Sequence, residues 1–207
     1  MYNLDAMHTE KNIWESIINT LLFIKGKSKD GLKSHKDFEE MGIRKDLHLK
    51  KRGKHFYLRA APHTLSKIEK KTCCWRLANV KLPDGYGLNI GKFISSEDNK
   101  MFGIKSHDYH ILMQQLLSVA LRGLLPKGPR TAIFRLCSFF NELCQRVIDR
   151  NKLEKLEEDI VETLCMLEMY FPPFFDIMVH LTIHIGREAR LCGPVKYHWM
   201  HPLSGNF

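Results

Sequence analysis

Between residues 107 and 191, apolar side chains recur at spacings of three and four in four successive runs. That period belongs to helices that bury one face, and it commits the second half of the chain to helix-on-helix packing. The first run, 107–125, is about 28 Å long at 1.5 Å per residue. His110, Gln114, Ser118 and Arg122 repeat along it as one narrow polar stripe, and the rest of its circumference is apolar. Pro126 and Pro129 end it. A second helix is predicted over 130–148, packing through Ile133, Leu136, Cys137, Phe140, Cys144 and Val147. A third is predicted over 152–170, packing through Leu153, Leu156, Ile160, Leu164 and Leu167, with Glu154, Glu157, Glu158 and Asp159 toward its favourable N-terminal end. Pro172 and Pro173 separate it from a fourth, 174–191, which Gly193 and Pro194 stop. Connections this short favour antiparallel neighbours.

The first half reads differently. Ile13, Ile17, Leu21 and Ile24 predict a helix over 5–24 that Gly26 ends, and a short helix is expected over 34–41, closed by Gly42. Phe56, Leu58 and Ala60 alternate with Tyr57 and Arg59, which leaves room for a short strand within 49–60. Ser66 and Glu69 stand at capping-box spacing before a helix over 67–80. Pro83, Asp84, Gly85, Gly87 and Gly91 make 82–105 a turn-rich linker. The expected fold is mainly α: an antiparallel helical bundle in the C-terminal half, preceded by a basic helix-and-loop segment with one short strand.

Charge divides at the same place. Residues 1–81 hold 18 Lys and Arg against 9 Asp and Glu, whereas 82–207 hold 14 of each, so the whole excess of +9 sits in the first part. Such asymmetry points to a polyanion, most commonly nucleic acid, facing the N-terminal part; a merely solvated basic surface is the alternative. Apolar residues at 44% and charged residues at 27% exclude a largely disordered chain. No apolar run reaches the ~20 residues of a membrane span, and residues 1–12 lack the apolar core of a secretory signal. Six cysteines without a CxxC pair point to a reducing, intracellular setting with buried thiols.

Candidate chemistry is sparse. Lys50, Lys51, Arg52 and Lys54 form a compact basic run with Tyr57 and Arg59 close behind, which suits contact with a phosphate backbone and also resembles a nuclear-import signal. His180, His184 and Glu188 lie at i, i+4 and i+8 on the fourth helix, a spacing that can chelate a metal. The same residues also read as a polar stripe, with Glu188 paired to Arg187 or Arg190. Cys192, His198 and His201, like the adjacent Cys73 and Cys74, lack zinc-finger spacing. Asp5 and Glu10 could hold a divalent ion with His8 assisting a proton transfer, although an acidic residue there is usually a helix cap.

Residues 7–49, beginning MHTEKNIWESIINTLL, resemble the late part of the transposase of plant CACTA (En/Spm-type) transposons, and residues 104–195, beginning IKSHDYHILMQQLL, resemble the uncharacterised helical domain that follows it. The resemblance implies a nuclear protein of transposon origin, with DNA and other transposase chains, or itself, as partners and no membrane. It implies a division into 1–81 (late transposase region), 82–105 (linker), 106–195 (helical domain) and 196–207 (a divergent tail). Asp5 and His8 match the family's Cys/Asp-x-x-His signature. The family's reaction needs three carboxylates on two metal ions, and neither the upstream core strands nor the acidic residue expected soon after Trp199–Pro202 is found in these 207 residues. The expectation is therefore a truncated, non-catalytic, transposase-like chain without a cofactor that contacts DNA non-specifically. Two other readings stand beside it: a helical interaction or oligomerisation module that ignores DNA, and a metal-dependent enzyme using His180, His184 and Glu188.

Overall fold

The computed structural model describes residues 5–53, 55–58, 61, 63–80, 89–95, 97–172 and 177–193. Helix α1 (Ala6–Leu21) starts where Asp5 accepts the His8 backbone N–H at 2.9 Å. It is buried on nearly every side, with Trp14 at its centre, so it serves as the axis of the fold rather than a surface arm. It ends one turn earlier than the apolar spacing predicts. Phe23 takes the left-handed conformation (φ 51°) directly after the helix, Ile24 already hydrogen-bonds back to Asn19, and Gly26 follows, itself left-handed at φ 79°. Helix α2 (Leu32–Glu40) is followed by Gly42 at φ 68°, with Ile43 N–H on the Phe38 carbonyl, a left-handed cap that glycine adopts without strain.

The expected strand is a hairpin. Strands β1 (Lys50–Arg52) and β2 (His55–Tyr57) pair antiparallel, Lys50 opposite Tyr57 and Lys51 opposite Phe56, with Gly53 at φ 64° starting the turn. Helix α3 (Lys67–Asn79) begins with the capping box read from the sequence: Ser66 Oγ accepts from Glu69 N–H, and the Glu69 carboxylate accepts from Ser66 N–H at 2.7 Å.

Of the turn-rich stretch, residues 81–88 lie outside the described set. Its remainder forms a 3-10 turn (Ile90–Phe93) and a small hairpin, β3 (Ile94–Ser95) with β4 (Lys100–Met101). This hairpin does not behave as a free linker. Ile90 and Ile94 are buried in the same apolar cluster as α1 and the C-terminal helices, and the Gly91 backbone passes so close to the Ala78 carbonyl that a Cβ would sit 2.9 Å from it.

The predicted 107–125 helix is one continuous helical stretch in three parts: α4 (Ser106–Ile111), a π turn (Leu112–Leu116) and α5 (Leu117–Ala120). Its last carbonyls, of Ala120 and Arg122, accept from the Arg76 guanidinium of α3, which satisfies acceptors the helix leaves open. Helix α6 (Lys127–Leu143) starts three residues before the prediction. Pro129 falls in its first turn, where an absent N–H costs nothing, instead of breaking the chain there. It also stops five residues early, so Val147, expected in the core, is 87% exposed. Helix α7 (Arg150–Tyr170) is capped by Asp149, and α8 (Ile177–Cys192) is followed by Gly193 at φ 91°.

α7 lies antiparallel between α6 and α8. Gly128 meets Tyr170 while Arg135 reaches Thr163 and Glu162, and Glu157 pairs with Arg190 at 2.8 Å. The molecule is thus mainly helical, with two small two-stranded sheets among the described residues. One apolar cluster runs from Ala6 through α3, α4–α7 and on to Ala189; Phe38, Leu47 and Ala61 form a separate, smaller one. The charge boundary at residue 81 is not a packing boundary.

The cysteines behave largely as the sequence suggested. Burial pushes the Cys73 thiol up to about 12 and Cys74 to about 11, and Cys137 upward as well, whereas Cys165 on α7 is exposed. Thiolate is the reactive form. Iodoacetamide added to the native chain is therefore expected to label Cys165 at least about tenfold faster than Cys73, Cys74 or Cys137; mass spectrometry of the labelled peptides checks this.

Candidate nucleic-acid interface and two buried ionic clusters

The basic hairpin stands out from the body. Lys50 and Lys51 are exposed, and so are their cross-strand partners, Tyr57 (57%) and Phe56 (50%). Lys36 of α2 places its ammonium 5.8 Å from the Phe56 ring, and Lys33 and Lys45 are exposed on neighbouring elements. Large aromatic side chains left in solvent beside lysines give a ribbon that can neutralise phosphates and lay a ring against a base or sugar. Arg52 takes part in the ladder opposite His55; Lys54 and Arg59 lie outside the described residues.

A buried carboxylate holds the segments around this ribbon in place. Asp30 accepts from His35 Nε2 at 2.6 Å through one oxygen, and from His63 Nε2 at 3.2 Å and Thr64 Oγ at 3.4 Å through the other. Each ring's second nitrogen donates to a carbonyl: His35 Nδ1 to Leu47 and His63 Nδ1 to Tyr170. Asp30, His35 and His63 are all 3% exposed or less. Burial alone would raise the Asp30 carboxyl, but the hydrogen bonds and charges of His63 and His35 outweigh it and hold that carboxyl below its ordinary value. The network joins the loop before α2, the turn before β1, the approach to α3 and the end of α7. Arg44 adds a further tie, donating to the Met169 carbonyl while paired with Asp46.

The second cluster lies at the edge of the main core, with Glu10 buried and His110 and Cys144 half-buried. Glu10 of α1, 1% exposed, faces His110 of α4, with both carboxylate oxygens 3.0 Å from Nδ1. Gln114 Nε2 stands 3.1 Å from the same nitrogen. Cys144, at the C-cap of α6, completes a trio whose ligand atoms all lie within 4.8 Å of one another. Burial raises the Glu10 carboxyl above its ordinary value, and His110 only partly offsets it.

The structure separates residues the sequence had grouped. Asp5 is an exposed cap on the His8 N–H, and Glu10 turns inward to His110, so the two do not share an ion. His180 and His184 are exposed, with ring centroids 5.3 Å apart, but they and Glu188 do not converge as a donor trio. Arg190 reaches across to Glu157 of α7 at 2.8 Å. His198 and His201 lie outside the described residues. Sequence reasoning missed Asp30, His35 and His63 altogether, and it read His110 only as one member of a polar stripe.

Among the described residues, no helix is long and apolar enough to cross a membrane. Comparison with known proteins finds no match among curated proteins and none among solved structures. Residues 143–206, from the end of α6 onward, match the family model described as a domain of unknown function, DUF4218.

Proposed function

We propose that this chain is a CACTA-transposase-like nuclear protein that holds double-stranded DNA non-specifically through its basic half, without catalysing strand transfer. The observation that carries the DNA contact is the exposed hairpin, with lysines and aromatics side by side on a two-stranded ribbon. A ribbon of this kind fits the major groove, and its charge favours the backbone irrespective of sequence. The family match over 143–206 supports the transposase-like descent, because the resemblance calls for an uncharacterised helical domain in that part of the chain.

Fluorescence anisotropy of a labelled duplex against the purified chain tests this. With about four phosphates neutralised, affinity should fall about a hundredfold between 50 and 200 mM salt. The double variant Lys50→Glu/Lys51→Glu should bind at least about tenfold more weakly and show a shallower salt slope. Binding that ignores salt, or its absence at low salt, refutes the proposal and leaves the reading as a helical interaction module. That second reading draws on the apolar side chains exposed on α7 and α8, Val161, Met169, Ile177 and Leu191. Light scattering that stays monomeric at high concentration would count against it.

A further inference from the structure

We propose that Glu10, His110 and Cys144 bind one divalent cation of the zinc class, tying α1, α4 and the end of α6 together. These residues are far apart in sequence, yet the fold brings a carboxylate, an imidazole nitrogen and a thiol to within 4.8 Å of each other. Zinc bonds of 2.0–2.3 Å at tetrahedral angles set ligand atoms roughly 3.3–3.8 Å apart, so small side-chain adjustments suffice. The donor set is oxygen, nitrogen and sulfur. A thiolate selects against magnesium and calcium, and the mixture suits zinc or cobalt.

Three further observations bear on an ion here. Glu10 is an acid enclosed in the apolar core, a position carboxylates occupy when paired or ligating. His110 Nδ1 carries either a hydrogen or a lone pair. It nevertheless meets two carboxylate oxygens that want the hydrogen and, at 3.1 Å, the Gln114 amide nitrogen, which wants the lone pair. With the lone pair on a cation, the carboxylate turns to the cation too, and Gln114 becomes an outer hydrogen-bonding partner of the ligand shell. The π turn Leu112–Leu116 starts directly where α4 ends, so the helix is widened just beyond His110, a feature that recurs at functional sites. Glutamate and thiolate together carry two negative charges, which the cation balances, and the thiol proton leaves to solvent on binding.

The test uses the full chain, stripped with a chelator and titrated with zinc alone and with cobalt alone. One equivalent of each is expected to bind, cobalt with a near-ultraviolet thiolate charge-transfer band. At a hundredfold excess over Kd, zinc should raise Tm by about 5 °C or more. Cys144→Ser should abolish the band and weaken zinc at least about tenfold, while Cys165→Ser, at the exposed thiol, should leave both unchanged. Glu10→Gln should weaken zinc similarly; if that variant does not fold, Cys144→Ser decides alone. No stoichiometric metal, a band that survives Cys144→Ser, or one that disappears in Cys165→Ser overturns the proposal.

Discussion

Replacing Asp30 by Asn should lower the stability of the chain by about 3–5 kcal/mol, because it strands two buried histidines that the carboxylate now serves. At roughly 2–4 °C per kcal/mol for a domain of this size, Tm should drop by about 6–20 °C. Both rings donate toward Asp30 and toward a carbonyl, and neither reaches water: their side chains are 1% and 0% exposed. An amide offers one acceptor where two are needed, and its NH2 would face a donor. The pH dependence follows from the direction of the Asp30 shift. The folded carboxyl lies below the ordinary value of 3.8 that it regains on unfolding. Its contribution is therefore complete above about pH 4 and is lost as pH falls through the lower, folded value. Thermal melts followed by circular dichroism at neutral pH and at about pH 3 should show the gap between wild type and Asp30→Asn narrowing on acidification. A Tm loss of under about 2 °C at neutral pH would mean that the histidines find other partners.

This network also marks the limit of what the sequence discloses. Periodicity and caps act over a few residues, so the helices, the Ser66–Glu69 capping box and the glycine after α2 could all be read directly. Boundaries shifted where a local signal has two physical readings. Pro129 can break a helix or sit in its first turn, and Phe23 assumed the left-handed role that glycine usually takes. Asp30, His35 and His63 carry no such signal. Two of the partners are 33 residues apart, and each ring's second partner is a backbone carbonyl, which any residue would provide. Glu10 and His110 are separated by 100 positions, so a polar stripe on one helix and an acid on another gave no hint of meeting. The basic run was legible in composition. What the fold adds is that Phe56 and Tyr57 stand exposed beside it rather than packing inward.

Phe140→Ala is expected to cost about 3–5 kcal/mol, the range for emptying a fully buried aromatic site, and to lower Tm by about 6–20 °C. The ring is 0% exposed, in T-shaped contact with Phe139, and the residue's carbonyl lies 3.5 Å from Gln114 Nε2 beside Glu10 and His110. The form of the transition is as informative as its midpoint. If the chain folded as a basic N-terminal part and a separate helical part, the cavity would lower only the melt of the second. The shared cluster, from Trp14 in α1 to Ala189 in α8, predicts instead that both halves shift together. Trp14 reports on α1 once Trp75 and Trp199 are replaced by Phe, and far-ultraviolet circular dichroism reports on helices throughout. In Phe140→Ala on that background the two signals should fall at one temperature. Separate midpoints would mean that α1, despite its burial against the C-terminal helices, belongs to its own folding unit. The basic ribbon proposed to contact DNA would then be carried by a part able to fold without the bundle.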